Sequence, residues 1–291
     1  MPRRRQATLR ERRLAAELRF LRERRRGTLA QVARAIEWKT AKLGRIETAT
    51  SGISEDDLGV LLDYYGVEPD QRAQLLARAA TSRKRSWSAY AQFVADDYAE
   101  FLELDSHASG MRTYDSAMLP GRLQTEAYAR ALMEGHAMGL LSPAEIDRRV
   151  ELRMARQSVL TRDSSPLQLW CIVGESVLDA AVVSPAIMHE QISHLLKLTE
   201  LSHVDLQVLP ASKGAHPGLT GAFAIVEFPE PWEGDAVYVE TLTRNTFLSD
   251  ADEVHRYNLA YRHLSAMALD PNESRAILAR RIESPPTPTK E

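Results

Sequence analysis

The stretch from Thr28 to Glu47, TLAQVARAIEWKTAKLGRIE, constrains the fold most, because it packs two short apolar repeats around a turn of two residues, Glu37 and Trp38. Thr28 stands three residues before Gln31, a capping-box spacing, and Leu29, Val32, Ala33 and Ile36 follow on one helical face of about two turns. A further helix starts near Thr40, with Leu43 and Ile46 on its inner side. On a helical wheel the opposite side carries Thr40, Ala41, Gly44 and Arg45, with Lys42 on the flank. That outward face is small and polar, as a helix lying in a major groove requires.

The flanking sequence completes a bundle. Leu14, Leu18 and Leu21 predict an earlier helix with one apolar stripe and an arginine-rich remainder, stopped at Gly27. Ser54 and Asp57 repeat the capping spacing ahead of Leu58, Leu61, Leu62 and Tyr65, with Gly66 as the stop, and a fifth helix spans Pro69 to Ala80. A short helix, a tight turn and a second short helix inside such a bundle is the helix-turn-helix arrangement, whose second helix reads base edges.

Charge agrees. The net charge of −3 divides into 20 Lys+Arg against 11 Asp+Glu over residues 1–85, or +9, and 17 against 29 over residues 86–291, or −12. A basic head joined to an acidic remainder points to a nucleic-acid partner for the head. Arg22, Arg24, Arg25 and Arg26 end the first helix beside the brace helix, where Arg24 to Arg26 suit phosphate contact, and Arg3 to Arg5 either form an arm able to enter a neighbouring groove or serve solubility.

The string LAQVARAIEWKTAKLGRIE, followed by LLDYYGV, resembles the Xre or repressor-type helix-turn-helix domains. The resemblance implies sequence-specific binding to double-stranded DNA, with the helix from Thr40 as reader. Two positions depart from its pattern. Leu29 stands where a DNA-contacting Gln is common, and Lys39 stands where a capping Ser is common, so Thr40 is expected as cap and Lys39 as a phosphate contact. The DNA-contact set is then Arg24, Arg25, Thr28, Gln31, Lys39, Thr40, Ala41, Lys42 and Arg45, with direct readout resting chiefly on Thr40 and Arg45. Such units usually read two half-sites about 34–36 Å apart, so a homodimer is expected.

The organisation expected is a multidomain one: an all-α head at 1–80, a basic linker at 81–90, an α+β domain at 91–283 with one mixed or mostly antiparallel sheet, and a disordered tail at 284–291. Within the second domain Phe101, Leu102 and Leu104 mark a helix, and residues 110–118, 167–173, 204–209, 222–228 and 236–240 read as strands. Helices are expected near 124–134, at 142–160 behind the Ser142, Pro143 and Glu145 start signal, between the strands at 167–173 and 204–209, and over 251–269 and 271–282.

Little in this domain speaks for chemistry. HEQISH places His189 and His194 five residues apart, which leaves the imidazoles about 140° from each other on a helix, whereas a metal pair needs i, i+4. No nucleophile elbow, phosphate loop or dinucleotide fingerprint occurs. Cys171, the lone cysteine, lies in the apolar run LQLWCIV and reads as a buried thiol. Glu175 and Glu240 could meet at the sheet ends, but such a pairing is too common to argue an acid-base couple. The expectation is therefore no enzyme, no cofactor and no metal. There is no apolar run near the roughly 18 residues a membrane span needs, and the basic N-terminus is not followed by the apolar core of a signal peptide. The cytoplasm is the expected location, with the nucleoid when DNA is bound.

MLPGRLQTEAYARALM, then VDLQVLP, GAFAIVEF and AVYVET, is similar to the C-terminal domain that follows an Xre-type head in a large actinobacterial regulator family, the WhiJ-like and antitoxin-like regulators. The resemblance implies a second domain that senses or binds something, often encoded beside a small acidic partner protein. Arg122 departs from it, standing where an apolar residue is usual. Leu119, Pro120 and Gly121 lead into a helix whose first amides near Gln124 and Thr125 make a candidate anion site. Pro120, Gly121, Gln124 and Tyr128 are the candidate ligand or partner contacts, against the plainer reading of a strand-to-helix turn with Leu123 and Tyr128 in the core. The function expected is a DNA-binding transcriptional regulator whose second domain responds to a partner or ligand. The alternative is an antitoxin-like interaction protein that uses DNA binding only for autoregulation.

Overall fold

The structure is a computed structural model that describes residues 9–80, 96–179, 182–230, 234–242 and 245–283. The expected linker at 81–90, the Arg3–Arg5 arm and the tail at 284–291 lie outside the described residues. The chain forms two compact units.

The first unit holds α1 (Leu9–Arg24), α2 (Leu29–Ala35), α3 (Thr40–Glu47), α4 (Glu55–Tyr64) and α5 (Pro69–Ala80). Leu18, Leu21, Val32, Ala33, Leu43, Ile46, Leu58, Leu61, Leu62, Tyr65 and Leu75 close one core from all five helices. Each of the first four helices ends in the same way. A residue at positive φ (Arg26 at 53°, Glu37 at 56°, Ala49 at 51°, Gly66 at 53°) reverses the chain, and its amide and the next one reach back to the last turn. The first of these corrects the expected stop: Arg26 takes the left-handed position and Gly27 follows it, where an added Cβ would lie 3.0 Å from Val32 Cγ2.

The second unit holds α6 (Asp96–His107), β1 (Gly110–Asp115), α7 (Glu126–His136), α8 (Pro143–Ala155), β2 (Gln168–Gly174), α9 (Pro185–Leu198), β3 (Val204–Leu209), β4 (Phe223–Glu227), β5 (Ala236–Glu240), β6 (Asn245–Leu248), α10 (Ala251–Met267) and α11 (Pro271–Glu283). The sheet order is β3-β2-β1-β4-β5-β6. β1, β2 and β3 are parallel neighbours, and β4, β5 and β6 add antiparallel strands on the other side of β1, so the sheet is mixed. Strand alternation sorts the side chains into two cores. Met111, Leu169, Cys171, Val173, Leu206, Val208 and Tyr238 face Tyr128, Ile192 and Leu278 of α7, α9 and α11, whereas Tyr114, Ile172, Phe223, Ile225 and Val237 face Tyr261 and Leu264 of α10. Helices on both faces explain why the central strands read as nearly continuous apolar runs.

Candidate nucleic-acid interface

The helix-turn-helix is assembled by local caps and by two ion pairs. Thr28 and Gln31 form the full capping box at the start of α2: Gln31 N donates to Thr28 Oγ1 at 3.2 Å and Thr28 N to Gln31 Oε1 at 2.9 Å. That leaves the Gln31 Nε2 donors outside the box. α3 is held at its far end by Glu47, a buried carboxylate that receives Arg22 Nε at 2.8 Å and Nη2 at 2.8 Å, while Arg22 Nη1 donates to Gly27 O at 2.9 Å. Arg22 is therefore a brace between α1 and α3. The Glu47 hydrogen bond raises its already high pKa. The near end of α3 is held by Lys42, whose Nζ lies 2.7 Å from Asp57 Oδ1 and 3.9 Å from the Trp38 ring centroid. Asp57 accordingly does not complete the reciprocal box with Ser54; it gives its backbone N–H to Ser54 Oγ and its carboxylate to Lys42.

The expected contacts separate on this geometry. Lys39 occupies the cap position of α3 without a side-chain cap bond, and Thr40 is the first residue inside the helix, which corrects the expectation that Thr40 caps. Ala41 and Arg45 are exposed at i and i+4 along the outer side of α3, with Thr40 beside them and Thr48, the residue that caps the C-terminus of the helix, at i+7. Gly44 is partly covered; a Cβ there would make only an ordinary contact, 3.9 Å from Leu29 Cδ1. Arg24, Lys39 and Arg45 are exposed and have no side-chain hydrogen bond or ion pair among the described residues. Arg25 is exposed but donates to Tyr64 O at 3.1 Å. Lys42 is committed to Asp57. Arg34, which the sequence reading passed over, belongs with the exposed cations: with Ala30 and Gln31 it lies on the outer face of α2 at i, i+1 and i+4, a spacing the sequence already displayed.

In the second unit Pro120, Gly121, Gln124 and Tyr128 do come together, as a closed polar knot. α7 starts two residues later than expected, at Glu126, with Thr125 capping the Tyr128 amide at 3.2 Å. Thr125 N donates to Gln191 Oε1 at 2.7 Å, Gln124 Nε2 to Leu119 O at 2.6 Å, Arg153 Nη1 to Gln124 Oε1 at 2.9 Å, and Leu119 N to the Tyr128 hydroxyl at 3.3 Å. Gln157 Nε2 donates to the Gly121 carbonyl at 3.2 Å. Pro120, Gln124 and Tyr128 are buried, so the helix start that was the candidate anion site is occupied by the chain's own groups. Arg122, the departure from the family pattern, is buried in an ion pair with Asp105, whose other oxygen receives Arg156 Nε at 2.9 Å. Burial holds the Arg122 pKa below its ordinary value.

The remaining candidates also find their places. Glu175 and Glu240 do not meet: Glu175 accepts from the Ala211 amide at 3.2 Å and lies 3.6 Å from Arg281, while the carboxylate that feels Glu240 is Asp115. Cys171 is buried, and burial pushes its thiol up to about 12. His189 is exposed and His194 half-buried on α9, with burial lowering the His194 pKa. Among the described residues no three His, Cys, Asp or Glu side chains are grouped to hold a metal, and no helix is long and apolar enough to cross a membrane. A cleft of about 640 Å³ opens beside α10, lined in part by Arg112, Trp170, Glu227 and Tyr261. Arg112 is already engaged there by Glu227, Asp235 and Asn258.

A five-helix head with the helix-turn-helix geometry, followed by an α+β domain on a six-stranded mixed sheet, defines a helix-turn-helix protein of the kind that regulates through DNA. A family model described as a helix-turn-helix domain matches residues 13–75, and one described as a domain of unknown function, DUF5753, matches residues 98–280. The second match spans more than half of the chain, and the protein belongs to the DUF5753 family. No curated protein and no solved structure matches it.

Proposed function

We propose that the protein is a sequence-specific transcriptional regulator that binds double-stranded DNA as a homodimer and whose second domain answers to a protein partner or ligand without catalysing a reaction. The observation that carries the reading is the outer side of α3. A helix braced at one end by Arg22 and Glu47 and at the other by Lys42 and Asp57 presents Ala41, Arg45 and Thr48 in one stripe, with Arg45 uncommitted among the described residues. Arg45 suits the O6 and N7 acceptors of guanine, and the Ala41 methyl suits the methyl of thymine. Arg24, Arg34 and Lys39 supply phosphate contacts that fix register and carry no sequence information. The Xre-type spacing of LAQVARAIEWKTAKLGRIE supports placing the head with repressor-type readers, and a small acidic protein is the partner chemistry the wider resemblance favours. The cytoplasm and the nucleoid follow as its place of action.

Selection of duplexes from a random pool by the full-length protein tests the reading. One recurrent half-site should emerge, and Arg45→Ala should relax the preference at a guanine position by about 1–3 kcal/mol. A pool that enriches no common sequence would overturn it.

A further inference from the structure

At the end of the α7–α8 hairpin two apolar side chains, Met138 and Leu140, stand clear of the cores of their unit. Arg130 meets Asp147, and Arg153 meets Gln124, so the two helices run antiparallel. Met133, Ala137, Leu141, Ile146, Val150 and Met154 close a small core distinct from the one under the sheet. Beyond it the connection exposes Met138 by 68% and Leu140 by 76%. The tip has a defined shape: Met138 sits at φ 48°, Gly139 at φ 73°, and the Leu140 amide donates to Ala137 O at 2.7 Å.

Charge selects the occupant. Residues 86–291 carry a net −12, so contact between two copies of the second unit has to overcome like charge unless it falls on a patch near neutrality. Residues 126–155 carry five acidic and four basic side chains, a net of −1. Several are already neutralised within the hairpin, Arg130 by Asp147 and Glu126, and Arg148 by Glu151. A nearly neutral surface of mixed sign with an apolar centre can meet its own copy across a two-fold axis, where each patch faces an identical one.

We propose that the protein dimerises through this tip, Met138 and Leu140 of one protomer packing against those of its partner, with the flanks of α7 and α8 as the rim. The proposal deepens the reading of a two-headed regulator and rests on it for the need of a dimer. A standard interface buries about 800 Å² per partner, so the flanks must take part, while the energy concentrates in the central side chains.

Full-length protein tests it without DNA. Cys171 is the chain's lone cysteine and is buried, so Leu140→Cys places one accessible thiol at the tip. Mild oxidation should convert most of that variant to a covalent dimer, whereas Leu219→Cys, at a position 70% exposed elsewhere in the unit, should give only background. In sedimentation velocity at micromolar concentration the unmodified protein should be a dimer. The double variant Met138→Asp with Leu140→Asp should weaken the dimer about 100-fold or more with an unchanged circular dichroism spectrum. Equal cross-linking at Leu140 and Leu219, a monomeric wild type, or a double variant that stays dimeric overturns the proposal. Cross-linking at the tip in a protein that selects no DNA sequence leaves the interface standing and sinks the DNA reading instead.

Discussion

Asp115 ends β1, the strand at which the parallel and antiparallel halves of the sheet meet; it is partly buried, and burial lifts its carboxyl to about 7, with the Glu240 charge acting in the same direction. An unfolded Asp titrates near 3.9, so between about pH 4 and pH 7 the folded state holds a proton that the unfolded state has lost. Stability from this group is therefore full below pH 4 and falls as pH rises through 7. Asp115→Asn should leave the melting temperature unchanged near pH 4 and raise it at pH 8 by about 2–4 °C, a gain of about 1 kcal/mol, as followed by differential scanning fluorimetry. An equal shift at both pH values would mean that the carboxyl is not perturbed. Glu37 gives a second residue-scale test. It is exposed, turns the chain between α2 and α3 at φ 56°, and makes no side-chain hydrogen bond or ion pair among the described residues. Glu37→Gly should stabilise the head by about 0.5–1 kcal/mol, read as a higher urea midpoint, because glycine adopts that conformation without the Cβ penalty.

At the scale of elements, the orientation of α3 depends on Glu47. The carboxylate is buried and paired with Arg22, so Glu47→Ala leaves the largely buried guanidinium with only the long, exposed contact to Glu23 at 3.5 Å and should cost about 3 kcal/mol in a urea titration. Arg22→Met with Glu47→Leu should recover most of that loss, since an apolar pair of similar size removes both charges together. A double variant as unstable as Glu47→Ala alone would show that the pair does more than satisfy itself. This brace marks the limit of what the sequence could reveal. Periodicity and caps are local, and they placed α1 to α5, the capping boxes at Thr28 and Ser142, and the strands Val204–Leu209 and Ala236–Glu240. Arg22 and Glu47 are 25 residues apart and carry no spacing signature, so in the sequence Arg22 is only one more arginine at the end of α1. Asp57 matched a capping pattern and is drawn instead to Lys42 by charge. β6, at Asn245–Leu248, has too few residues to display an alternation, and Arg122 gave no sign of Asp105, 17 residues away on α6. Contacts set by tertiary packing were the ones missed.

For the whole molecule, the division between a +9 head and a −12 remainder makes salt the sharpest probe of how many heads engage DNA. Each phosphate neutralised contributes about −0.9 to the slope of log K against log salt concentration. Lys39 is exposed and uncommitted among the described residues, whereas Lys42 already shares its charge with Asp57. Lys39→Ala should therefore flatten the slope by about two units if two heads contact the operator and by about one if a single head does, with affinity falling alike for every sequence. Lys42→Ala should change the slope little and lower the urea midpoint of the head, because what it removes is the tie between α3 and α4. Fluorescence anisotropy of a labelled operator between about 50 and 200 mM salt, the range over which counterion release acts strongly, separates the cases. A slope indifferent to Lys39 would remove it from the DNA face, and a one-unit change would show one head per operator, whatever the state of the protein in solution.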